Sequence, residues 1–150
     1  MQENPYPYLI DLTRLEFAFT SENEERLVHK RVIFTPLPVS ELIYNLALVD
    51  VAGNGLVDDQ VVSDNGDLVK VLATVFRITL HFLKTHPEAK IYFTGNTPAR
   101  TRLYRIAIAR ELNRLDEFIR VYGITEETME LFRLNRPYEA FLIGLKKKEL

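Results

Sequence analysis

The 150-residue sequence predicts an α+β fold. It is a curved, mostly antiparallel sheet, ordered ββββ-α-β-α-β-β, with two main helices packed on one face. Three observations predict it. Period-two apolar alternation fills the first third, two long helical stripes follow, and no regular β-α-β alternation appears. A chain of this length buries roughly 68–70% of the surface its unfolded form exposes, so residues 1–150 are read as a single domain.

Leu15, Phe17 and Phe19 alternate with Glu16, Ala18 and Thr20, which gives a first strand with one buried face. Ser21 to Glu25 reads as a turn. Leu27 to Thr35 makes a second strand, ended by Pro36-Leu37-Pro38 because proline cannot donate to a ladder. Leu42 to Val49 is apolar almost throughout and suits a central strand covered on both sides. Gly53-Asn54-Gly55 supplies a tight hairpin, with Val57 to Val62 returning as a fourth strand.

Leu68, Val71, Leu72, Val75, Phe76, Thr79, Phe82 and Leu83 fall on one helical stripe, opposite Lys70, Arg77, His81 and Lys84. His86-Pro87 stops that helix, since the residue before proline is pushed out of helical geometry. Lys90 to Thr94 is a short strand. Thr97 is then a good N-cap, and Pro98 suits the first position of a helix running to about Leu115. Its apolar residues wrap most of the way round, which predicts packing on more than one side. Phe118–Tyr122 and Tyr138–Leu145 close the sheet. Thr125 to Thr128 between them is a helical turn or a loop.

Composition excludes several classes. With no cysteine there is no thiolate zinc site, Cys nucleophile or disulfide framework, and a reducing cytoplasm is the expected location. The first residues lack a basic stretch followed by an apolar one, and no apolar run approaches the ~20 residues of a membrane span. No membrane partner is expected. There is no phosphate-loop motif, no dinucleotide fingerprint and no serine in a nucleophile-elbow context. His29, His81 and His86 form no metal-binding pair. No catalytic residue and no cofactor is assigned.

The net charge of −2 conceals an asymmetry. Residues 1–69 carry 12 Asp/Glu against 4 Lys/Arg, a balance of −8. Residues 70–150 carry 9 against 15, a balance of +6. The halves either neutralise one another, within one chain or across a homodimer, or present a basic face to an anionic partner. Asp58, Asp59 and Asp64 are weak metal candidates, because clustered carboxylates hold Mg²⁺ or Ca²⁺ through hard oxygens. The calcium-loop spacing is not met. Asp64 to Asp67 reads more simply as a turn that places Asp67 near a helix N-terminus.

The stretch from Lys90 to Arg114 rises above this background. A strand leads through Gly95-Asn96-Thr97 into a helix whose first turns carry Arg100, Arg102 and Arg105. Helix N-termini attract anions, so cations there run against the dipole unless an anion offsets them. Arginine forks bind phosphate or carboxylate bidentately. These six residues are the candidate anion site. Arg100 and Arg102 lie about 200° apart on the helix, so they share one ligand only if Arg100 reaches back over the end. The competing reading pairs the arginines with Asp50, Asp58 or Asp59.

Three segments carry a resemblance. Asn65-Gly-Asp67 with Lys70 to Val75, the Gly95-Asn-Thr-Pro-Ala-Arg-Thr-Arg-Leu-Tyr104 motif, and Tyr138-Glu-Ala-Phe-Leu142 resemble a bacterial family of about this length. That family is labelled only as a domain of unknown function. The resemblance covers nearly the whole chain and implies a single-domain α+β bacterial protein. It implies no activity, catalytic residue or cofactor. The expectation is a small non-enzymatic binding or interaction module with an anionic ligand. The alternatives are a metal-dependent enzyme acting on a phosphorylated or nucleic-acid substrate, and a purely structural oligomer.

Overall fold

A computed structural model describes residues 5–11, 15–51, 57–58, 67–95, 97–115 and 117–146, without the side chains of residues 57, 58, 113 and 115. The strands are β1 (Leu9–Asp11), β2 (Glu16–Glu22), β3 (Leu27–Leu37), β4 (Ser40–Val51), β5 (Val57–Asp58), β6 (Lys90–Phe93), β7 (Ile119–Ile124), β8 (Met129–Leu131) and β9 (Ala140–Leu145). The helices are α1 (Leu68–Thr85), between β5 and β6, and α2 (Pro98–Leu115), between β6 and β7. The fold is α+β, and its sheet is open and mostly antiparallel. Strands pair in the order β1-β2-β3-β4-β6-β9-β7-β8, with β5 on β4.

The chain packs as two compact units, residues 1–35 with 46–78 and residues 36–45 with 79–150. In the first, β2 and β3 pair with Phe17 opposite Val32 and Phe19 opposite Lys30. Their alternation turns Phe17, Phe19 and Ser21 inward beside Lys30, Val32 and Phe34. Phe17 and Phe34 meet edge to face at 5.7 Å. The first strand begins at Glu16 rather than Leu15, because Leu15 takes a left-handed φ of 56°. Its far end runs on through Ser21 and Glu22, which the sequence assigns to the turn.

Pro36 does not end β3. The pairing with β2 stops at Ile33, so a missing N–H at position 36 removes nothing from that ladder. The chain turns instead at Pro38-Val39 and returns as β4. That strand is central, but coverage on both sides is not what forms: only Leu46 and Val49 are buried, and Leu42 is exposed.

In the second unit β6 pairs antiparallel with β9, with Ile91 opposite Ile143 and Phe93 opposite Phe141. It also runs parallel to residues 43–45 of β4. A parallel neighbour requires a crossover, and α1 lies within the connection that provides it. Among the described residues the strand–helix–strand unit is thus present once, without the repetition that would signal a parallel sheet. β7 flanks the other side of β9 and forms a hairpin with β8 around Thr125–Thr128, where Thr125 N–H reaches Thr128 C=O at 2.8 Å. The short edge strands β1 and β8 are additions to the predicted order. Three residues are too few for period-two alternation to register.

The outer face of α2 is not covered. Leu103 and Ile106 are each 42% exposed, while Tyr104 and Ile108 are buried. Tyr104 stacks on Phe93 at 4.9 Å, and Phe93 tilts against Phe141 at 5.7 Å. One helical face therefore holds α2 on β6 and β9. Among the described residues no helix is long and apolar enough to cross a membrane.

Candidate functional site

The start of α2 sits at the carboxyl end of β6, beside the residues that lead into β9. Thr97 caps the helix, its Oγ1 accepting the Arg100 N–H at 3.2 Å. Pro98 occupies the first helical position without an N–H to satisfy. Gly95 is required by contact, because a Cβ there would lie 2.5 Å from the Thr101 backbone nitrogen. Thr101 binds this turn from inside the helix. Its Oγ1 accepts the Gly95 N–H at 3.2 Å and donates to the Thr97 carbonyl at 3.1 Å.

The opposite wall comes from the approach to β9. Thr94 Oγ1 donates to the Glu139 carbonyl at 2.6 Å, and the Glu139 N–H donates to the Ile124 carbonyl at 2.8 Å. Tyr138 lies flat over Gly123, where any Cβ would collide with its ring. Its hydroxyl donates to Glu130 Oε2 at 3.2 Å and accepts the Arg133 N–H at 3.1 Å. Glu130 also meets Arg133 Nε at 3.5 Å and Arg136 at 3.3 Å. This wall is held by its own charges.

Between the walls is a cleft of about 440 Å³, lined by Gly95, Thr97, Arg102, Arg105, Glu139 and four neighbours, with Tyr138 at the floor. Of the six candidate residues, Gly95, Thr97, Arg102 and Arg105 line it. Arg102 and Arg105 are three residues apart, about 60° on the helical wheel. Arg100 is not in the lining, and its charge acts on Tyr104 instead. Asn96 lies outside the described residues. Burial raises the Tyr104 phenol above its ordinary value, and the Arg100 charge lowers it in part.

Among the described residues, neither Arg102 nor Arg105 has an ion-pair partner, and neither does Glu139. Asp50 has Lys30 at 2.7 Å. The Asp58 side chain and the whole of Asp59 and Asp64 lie outside the described residues. No group of three or more ligating side chains is present among the described residues.

Sequence reasoning missed Glu139, Tyr138 and Pro137 as lining residues. They stand about forty residues from Thr97, and only the β6–β9 pairing brings them to it. It also missed a polar cluster in the first unit. The Asp67 carboxylate takes the Tyr6 and Ser21 hydroxyls, both at 2.5 Å, and the Tyr6 N–H donates to Thr74 Oγ1 at 2.8 Å. Lys70 Nζ lies 4.3 Å from the Tyr6 ring centre. Burial and the hydrogen bond to Asp67 raise the Tyr6 phenol. Beside it, a cavity of about 620 Å³ is lined by residues that include Tyr8, His29, Lys30 and Arg31. His29 is engaged by Thr20 at 3.1 Å and Arg31 by Glu16 at 3.6 Å.

No curated protein and no solved structure matches the chain. A family profile does, over residues 2–146, nearly the full length, including both walls of the cleft. The chain belongs to the family of unknown function DUF6934.

Proposed function

We propose that the chain is a small binding module that recognises an anionic group, phosphate or carboxylate, in the cleft at the start of α2. One observation carries this reading. Arg102 and Arg105 both line one concave site, and neither has a carboxylate partner among the described residues. An unpaired guanidinium pair one helical turn apart suits the oxygens of a single anion.

The side chains do most of this work. Thr97 already takes the Arg100 N–H, Thr101 N–H bonds the Thr97 carbonyl, and Pro98 has none. The helix end is therefore mostly satisfied internally, and its partial positive charge adds to the arginines without supplying a nest of donors. A metal-dependent reaction finds no supporting feature among the described side chains. The lack of cysteine suits the bacterial cytoplasm, where we place the protein.

The test is isothermal titration of inorganic phosphate and of short carboxylates into wild type and Arg102→Ala/Arg105→Ala. Binding by the wild type, weakened at least tenfold in the double variant, is expected for two lost charge-assisted contacts. Equal affinity in both proteins would remove the cleft from consideration.

A further inference from the structure

Resting on that reading, we infer that the cleft selects an anion that also carries a hydrogen-bond donor, such as a hydroxyl-bearing phosphomonoester, and that Glu139 reads the donor. The cleft is larger than its arginines require. About 440 Å³ falls within the range of small-molecule sites, roughly 300–1,000 Å³. A bare phosphate would leave most of that space to water. The remaining wall is mixed: Pro98 and Pro137 offer apolar surface, and Thr94, Thr97 and Thr101 line it together with a single carboxylate, Glu139.

Glu139 is unusual within this wall. Its backbone is fixed on both sides, with the carbonyl held by Thr94 and the N–H by Ile124. Its side chain nevertheless has no partner among the described residues. Two cations and one anion line the same cleft, and no nitrogen–oxygen pair among them is within 4 Å. Glu130, eight residues before Tyr138, shows the contrast, since it gathers Tyr138, Arg133 and Arg136 onto one carboxylate.

Separated charges of both signs divide the work within one ligand. The arginines take the anionic head. An acceptor-only carboxylate takes hydroxyl or amine donors from the body and repels any second anionic group. Glu139 therefore disfavours bare phosphate while favouring a polyol phosphate. Removing it moves the two affinities in opposite directions, which a merely structural glutamate would not do.

The experiment compares three probes on the full chain: inorganic phosphate, phenyl phosphate and glucose 6-phosphate. The last two share an anionic head and a ring-sized body, but only the sugar has donors on that body. Wild type should bind glucose 6-phosphate about tenfold tighter than phenyl phosphate, the worth of a charge-assisted hydrogen bond. In Glu139→Ala that preference should vanish, while inorganic phosphate binds severalfold tighter. Glu139 is exposed, so the substitution leaves the fold intact, and circular dichroism checks this. If Glu139→Ala shifts all three probes alike, or none, the donor-reading role is overturned and the anion site survives. If no probe binds wild type, the anion site itself falls, and this inference with it.

Discussion

Two sites, one in each unit, treat buried and half-buried charge in opposite ways. In the first, polar groups are consumed by one another: Lys30 is 1% exposed and lies 2.7 Å from Asp50, while Asp67 gathers Tyr6 and Ser21. At the start of α2, two guanidiniums and a carboxylate face a cleft without pairing. A buried ion must be satisfied internally, because desolvating it alone costs several kcal/mol. A charge lining an open cleft is satisfied by water and loses nothing by waiting for a ligand. The first arrangement is what a fold needs, and the second is what recognition needs. The cavity of about 620 Å³ in the first unit is therefore the weaker functional candidate, since His29, Lys30 and Arg31 beside it already have partners.

The sharpest way to break this contrast is to strip one charge from the buried pair. Lys30→Met keeps the stem volume and leaves Asp50, 14% exposed, without its ammonium. Urea unfolding should show a loss of about 3–5 kcal/mol, the range for removing one member of a buried pair. A loss below about 1 kcal/mol, the usual worth of an exposed pair, would mean that water reaches Asp50 and that the unit is not organised around internal pairing.

Gly95→Ala is expected to cost less, about 1–3 kcal/mol, because the new methyl meets backbone rather than a side chain that could swing away. Relief requires the turn to separate from Thr101, which also distorts the cleft. Melting temperature and phosphate affinity should therefore fall together. A stable variant with unchanged affinity would show that the turn is not held by this close approach.

Elements with a strong local signature were legible in the sequence. α1 has an apolar stripe over five turns, and the Thr97-Pro98 cap depends on adjacent residues only. The extension of β3 past Pro36 was not legible, because it depends on where β2 stops pairing. Nor was the role of Lys30, although its position supplies a hint: it shares the inward parity of Val32 and Phe34. A lysine in phase with a core stripe implies a buried counter-ion somewhere, and no local pattern names Asp50. The cleft was half legible for the same reason. Its helical wall is contiguous in sequence, while Glu139 arrives through a strand pairing.

An intermediate test concerns Tyr104, which is buried against Phe93 within the α2 wall. Burial raises its phenol, so the folded state keeps the proton after the unfolded chain has released it. Its contribution is therefore complete below about pH 10 and is lost as pH rises from there through the folded value. Tyr104→Phe should match wild type at neutral pH and lose less stability between pH 10 and 11.5. Parallel alkaline unfolding curves for the two proteins would show that Tyr104 ionises freely in the fold.

The smallest expected effect discriminates best between the two uses of charge. If Arg102 and Arg105 serve recognition, Arg102→Ala/Arg105→Ala should change unfolding free energy by no more than about 0.5 kcal/mol, as surface substitutions away from packing features do. The result can be read against Arg133→Ala/Arg136→Ala, which strips Glu130 of both cations but leaves it the Tyr138 hydroxyl, and should destabilise by about 0.5–1 kcal/mol in total. Should the cleft pair instead cost 2 kcal/mol or more without ligand, its arginines are holding the fold. The difference between the units would then be one of exposure alone, and the search for a binding surface would move elsewhere on the molecule.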